Sequence, residues 1–249
     1  IIPVWTAKAA SNKKAELGFY FHESLSDFDK ATETMQTIPM EYVGMKLQVK
    51  NQNGKKKYFV VPMDNSYSEI ELKFASSGIQ TSAPLVALVQ YFAKNFSFKD
   101  AGRRSILDYL YEQDRLKSYR PEMELTDMKK KIHIHIEEPE LSLFPNAQCK
   151  MIDDIVRIAH NENNADRQVE IMMATHSPYI VNYMNVVLYQ NKAKRAKISN
   201  GDLAVYRIFD GEIQNLMVKT KGGVTLVDTS DLTEQMQDIM FEYKMLQNY

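Results

Sequence analysis

Two adjacent carboxylates, Glu137 and Glu138, close one apolar run of the chain, and His176 follows another. Acids beside an imidazole are the groups with which a site can hold a metal, polarise a water and sense a phosphate. Within Lys129 to Gln148, KKKIHIHIEEPELSLFPNAQ, Ile132, Ile134 and Ile136 alternate with His133 and His135. That period of two predicts a strand, and Pro139 ends it. Successive strand residues point to opposite faces, so the two acids are expected to divide the work, one toward a metal and one toward a reacting water.

The same residues allow other chemistry. His133, His135 and Glu137 project to one face and could ligate a metal, as H-x-H strands do in some hydrolases; the plainer reading is two histidines on a sheet surface among polar neighbours. Cys149 is the only cysteine, so no disulfide frame exists and a reducing, cytoplasmic setting is expected. Lying in a predicted helix, it reads as a small packed residue rather than a nucleophile.

An apolar strand followed by EEPE, a leucine-rich tail and Pro145 resembles the Walker B motif of ABC-type ATPases, in the form of the SMC/RecF-like and OLD-like branch of AAA-family ATP-binding proteins. Upstream, Ser76-Ser77-Gly78-Ile79-Gln80 resembles the ABC signature. Downstream, Met173 to Pro178, MATHSP, resembles the switch-histidine loop. The three strings stand in the family's order between Lys73 and Asn182.

The resemblance implies an α/β, P-loop NTPase-like lobe with a mainly parallel sheet, a helical signature subdomain and β-hairpins. It implies ATP and Mg2+ as cofactors. Glu137 would take the Mg2+ place through water, where the wider superfamily usually has Asp. Glu138 would polarise the attacking water, and His176 would link that water to the γ-phosphate. Ser77, Gly78 and Gln80 would face ATP bound by the other protomer of a nucleotide-sandwich dimer, with Ser77 also capping its own helix. Glu140 to Leu143 would lie where the D-loop crosses the dimer interface. The partners implied are a second copy or a related ATPase subunit, with DNA or an effector protein beyond it, in DNA repair and maintenance or anti-phage defence. A non-catalytic scaffold of the same fold is the alternative.

No G-x-x-x-x-G-K-[ST] string occurs: Gly54-Lys55-Lys56 has the lysine without the loop, and Gly222-Gly223 has no lysine. The phosphate cradle is therefore expected before Ile1 or in an unseen segment, making the chain the C-terminal lobe of a longer ATPase that by itself holds ATP weakly; a degenerate ATPase that lost its cradle is the lesser account, with little reason to keep Glu138 and His176. An appended Toprim nuclease would need a D-x-D, which the spacing of Asp228 and Asp231 excludes.

The elements that must position these groups fall into three expected parts: 1–72 as an N-terminal helix and hairpin, 73–120 as the signature subdomain, and 121–249 as the Walker B and switch core. A helix is expected from Ser26 through Ile38, ended by Pro39, then a hairpin of Tyr42 to Val49 and Lys57 to Pro62 turning at Asn53-Gly54. The signature helix opens at Ser76 to Gly78, with a kink or later start at Pro84. Further expected elements are a helix from Asp100 to Arg120, a helix after Pro145 ending near His160, and a buried strand from Val169 to Ala174. A short helix from Ser177 to Met184, a third strand from Val186 to Tyr189, a hairpin at Asp210-Gly211 and a helix from Asp231 to Leu246 complete the chain.

Lys and Arg number 31 against 32 Asp and Glu, a net charge of -1, so composition exerts no general pull toward nucleic acid or membrane. The basic runs Lys55 to Lys57, Lys129 to Lys131 and Lys192 to Lys197 could touch DNA phosphate, although such runs are more often solvated faces and no aromatic is interleaved with them. The most apolar stretch, Ala83 to Ala93, is interrupted by Pro84 and Gln90, so no bilayer span and a soluble chain are expected.

Overall fold

The computed structural model describes residues 19–64, 66–102, 111, 130–160, 167–190, 198, 201–221, 223 and 225–246, without the side chains of 19–23 and 233–236. It divides into two compact units. The first comprises Ile1–Met40, Gly44–His135 and Asn161–Met172, the second Glu41–Val43, Ile136–His160 and Met173–Tyr249.

In the first unit, helix α1 (Phe19–Thr34) is followed by strands β1 (Thr37–Met40), β2 (Met45–Gln52), β3 (Lys55–Pro62) and β4 (Ile70–Glu71), which form one antiparallel sheet in that order. The expected helix through Ile38 stops at Thr34 instead; Ile38 is a fully buried strand residue and Pro39 lies within β1. The spacing that suggested one helix was the core side of a helix followed by the core side of a strand. Pro39 fits a strand because β1 pairs on one side only, where a missing donor is tolerated. The hairpin turn is as expected: Asn53 and Gly54 have φ of 53° and 71°. Both central residues of this turn type need positive φ, which Asn tolerates and Gly adopts freely. Phe28 and Ala31 of α1, Ile38, Met40, Leu47 and Val60 of the sheet, and Val86 and Val89 of the next helix make this unit's core.

That next helix, α2 (Ser77–Gln90), runs through Pro84 without a later start and continues as a π-helix over Tyr91–Asn95. One turn before Pro84, hydroxyls bond back to the helix: Ser82 Oγ donates to Gly78 O at 2.6 Å and Thr81 Oγ1 to Ser77 O at 3.1 Å. The expected helix over 100–120 lies outside the described residues, except that 98–102 and Tyr111 are helical.

Strand β5 (Lys131–Glu137) pairs with β6 (Gln168–Ala174). Bonds from Gln168 N to Lys130 O and from Glu138 N to Ala174 O, both 2.8 Å, mark the two ends of a parallel pair. This is the small parallel sheet of the fold. The expectation of a mainly parallel sheet needs correction, because β1–β4 and two further ribbons are antiparallel. β6 is also less buried than expected: Val169 is buried, but Met172 is 63 % exposed.

In the second unit, α3 (Pro145–Ala159) and α4 (Pro178–Gln190) pack around Ile152, Val156, Ile180, Met184, Val187 and Leu188. The expected third strand over Val186–Tyr189 is the end of α4. An apolar run of four does not distinguish strand from helix, but the buried positions 180, 184, 187 and 188 follow the helical period. Strands β7 (Tyr206–Phe209) and β8 (Glu212–Asn215) form the second expected hairpin, its turn at Asp210 and Gly211 with φ of 50° and 79°. β9 (Met217–Lys219) pairs with β10 (Thr225–Val227), and the Asn185 side-chain amide takes the place of another strand against Val227, bonding its N–H at 2.8 Å and its C=O at 3.0 Å. The chain closes with α5 (Ser230–Leu246). Among the described residues, no helix is long and apolar enough to cross a membrane.

Candidate active site

β5 delivers Glu137 to the site by the alternation expected of it. Ile132 and Ile136 are buried while Lys131, His133, His135 and Glu137 are exposed. Glu138 departs from that pattern. It lies one residue beyond the strand with φ of 47°, a left-handed conformation uncommon for a side chain with a Cβ. The argument that neighbouring strand residues must face oppositely therefore stops at Glu137. Pro139 disfavours the right-handed helical region for the residue before it, and a turn through Pro139 closes with Leu141 N donating to Glu138 O at 3.1 Å. A second turn follows, Leu143 N to Glu140 O at 2.9 Å, with Ser142 at φ of 59°.

The turn pair meets the segment after β6. Glu138 N donates to Ala174 O at 2.8 Å. Glu140 then holds the switch loop with both oxygens: Oε1 accepts the His176 N–H at 2.7 Å and Oε2 accepts the Thr175 hydroxyl at 2.8 Å. Read from the sequence as a D-loop residue, Glu140 has its carboxylate turned onto this loop within its own chain. Ser177 begins α4: its hydroxyl accepts the Ile180 N–H at 3.3 Å and donates to Gln148 Oε1 at 2.6 Å. Gln148, in turn, donates to Leu143 O at 2.9 Å. Glu140 and Gln148 thus position the loop, and sequence reasoning assigned neither that role. The Ser-Pro pair at 177–178 was a usable signal, since a capping Ser followed by Pro is a common helix start.

Glu137, Glu138 and His176 are exposed, and the His176 ring makes no hydrogen bond among the described residues. Burial pushes the Cys149 thiol above its ordinary range, in keeping with a packing role rather than nucleophilic attack.

The signature segment belongs to the first unit. Ser76, not Ser77, occupies the N-cap position, without a side-chain capping bond; Ser77 is the first helical residue and is exposed. Gly78 is buried. Gln80 turns its amide back on its own loop, donating to Lys73 O at 3.0 Å and Ala75 O at 2.7 Å. On the strand face, His133 Nδ1 lies 3.0 Å from Glu170 Oε2, and no group of three or more His, Cys, Asp or Glu among the described residues is arranged to hold a metal ion. His133 and His135 are both exposed on the sheet surface, with Glu170 beside His133.

No curated protein matches the chain. The family model AAA_15, AAA ATPase domain, matches residues 6–181, a span that includes Ser76 to Gln80, the paired Glu137 and Glu138, and Met173 to Pro178. The chain therefore belongs to the AAA ATPase domain family.

Proposed function

We propose that the chain carries the hydrolytic half of an ATPase site, with Glu138 polarising the attacking water and His176 relaying the state of the γ-phosphate. The observation that carries this reading is the brace between the two segments: Glu140 bonds Thr175 and His176, and Glu138 N–H bonds Ala174 O, so both functional residues leave one fixed frame with exposed side chains. Preorganisation of this kind is what phosphoryl transfer requires, since positioning and charge neutralisation supply most of its catalysis.

Glu137 fits Mg2+ as a hard oxygen donor at the strand end, and a single carboxylate is an adequate protein contribution because Mg2+ keeps waters and takes substrate phosphates as its other ligands. When bound, the ion would neutralise phosphate charge. Residues 1–249 contain no G-x-x-x-x-G-K-[ST], so the phosphate cradle in this reading comes from another segment or subunit.

The active form in this reading is a dimer, of identical or related subunits, in which Ser77 and Gly78 at the start of α2 meet the nucleotide held by the partner. Gln80 shapes their loop. Phe144, 82 % exposed directly after the Glu138 to Leu143 turns, supplies an apolar contact of the kind an interface covers. DNA repair and maintenance or anti-phage defence is the setting this branch of the family suggests. The scaffold reading draws its support from the missing cradle.

The test is Glu138→Gln in an assembly that holds a phosphate-binding loop. Phosphate release should fall by about 10²–10⁴-fold while ATP-dependent dimers persist, as expected for loss of a general base. Turnover at the unmodified rate would remove Glu138 from the mechanism, and an unmodified assembly that never releases phosphate would favour the scaffold.

A further inference from the structure

The four-stranded sheet of the first unit has one face on the core and an opposite face whose side chains are half-buried to exposed. Leu47 and Val60 are buried partners, and Ile38 and Met40 of β1 are buried beside β2, which fixes the inner face. Alternation then puts Lys46, Gln48, Lys50 and Gln52 of β2 on the outer face with Lys55, Lys57, Phe59 and Val61 of β3. The hairpin brings side chains of the two strands together: Lys50 stands directly opposite Lys57, and Lys55 opposite Gln52. An aromatic joins them. Lys50 Nζ lies 5.2 Å from the centroid of the Phe59 ring. The expectation that nothing aromatic is interleaved with the basic residues fails because the interleaving comes from the partner strand's register.

Charges on this sheet are used unequally. Lys56, on the inner face, is neutralised by Glu33 at 3.1 Å and lies 4.0 Å from Asp29, both on α1. On the outer side, Glu69 is taken by Lys50 and Glu71 by Lys73. Lys46, Lys55 and Lys57 have no ion-pair partner among the described residues. Lys50 and Lys57, directly opposite each other, would repel, a cost that Glu69 offsets at Lys50 while Lys57 keeps its charge. Three lysines without an ion-pair partner among the described residues, beside the paired Lys50 and with amide side chains and an aromatic among them, complement a regular polyanion carrying π-faced bases.

We infer that the outer face of β2 and β3, through Lys46, Lys50, Lys55 and Lys57 with Phe59, binds nucleic acid by its phosphodiester backbone. Contacts of this type are independent of base sequence and weaken with salt, because each lysine that neutralises a phosphate releases condensed counterions.

The experiment is fluorescence anisotropy of the whole chain, without nucleotide, against a labelled 20-mer single strand and its duplex over a range of salt concentrations. Binding to at least one of the two is expected, with log affinity falling linearly against log salt at a slope of about -3. Lys57→Glu should weaken binding about tenfold and flatten the slope by about 1. It should leave the Tm unchanged or raised, since glutamate would then face Lys50 across the strands. Lys56→Ala, one residue away but on the inner face, should leave binding as it was. The inference is overturned if neither probe binds in a salt-dependent way, if Lys56→Ala weakens binding as much as Lys57→Glu, or if polyglutamate competes as well as unlabelled nucleic acid. The last result would point instead to an acidic protein segment. Because the assay contains no ATP, its outcome is independent of the hydrolytic role of Glu138.

Discussion

Glu140 commits both carboxylate oxygens to the switch loop, and that double use can be measured. Glu140→Ala should lower stability by about 1–2 kcal/mol in urea denaturation, the range for hydrogen bonds to a charged group at a half-exposed site. It should also lower phosphate release in an assembly with a phosphate-binding loop, with a larger effect on kcat than on KM, because His176 loses its frame rather than its imidazole. Glu140→Gln, which keeps one acceptor oxygen, should fall between. An alanine variant that matches the original in both assays would show that the brace does not position the loop. At this scale the sequence was informative about residue type and less so about backbone. The paired glutamates and the histidine are visible in EEPE and ATHSP, but the left-handed φ of Glu138 arises from the turn through Pro139, and no pattern of alternation reveals it.

Both hairpin turns were legible before any coordinates, since Asn-Gly and Asp-Gly satisfy a backbone requirement that few other pairs meet. Their cost can be isolated at Gly54. A Cβ built there meets nothing within 4 Å, so Gly54→Ala probes the positive φ alone. The substitution should cost about 1–2 kcal/mol of stability by urea denaturation, and an unchanged midpoint would mean the turn does not need the left-handed conformation. Other elements were harder to read. Ile38 keeps helical spacing from Phe28 and Ala31 although it sits in β1, because two elements covering one core can imitate a single period. The run Val186–Tyr189 has strand-like composition, and α4 claims it through packing against α3. Phe59 among the lysines required the register of β2 against β3, which depends on the turn and the buried face together.

Across the whole molecule, the three motifs fall within the span that the AAA ATPase family model matches, and the α/β class follows from the same residues. The balance of sheet types was not legible, since one strong parallel motif, β5 to β6, drew attention from several short antiparallel ribbons. Helix α5 was foreseen almost to the residue, yet its amphipathic pattern does not translate into burial. Ile239, Met240, Phe241, Tyr243 and Leu246 are each more than half exposed, between 56 % and 67 %. Most helical stability comes from a packed face, and these side chains bury little of theirs. In heavy water, amides of 237–246 should therefore exchange within minutes, while those around Met151, Ile152 and Ile155 in α3, all at 0 % exposure, hold their protons far longer. Equal protection of the two helices would mean that α5 is sheathed when the protein is in solution.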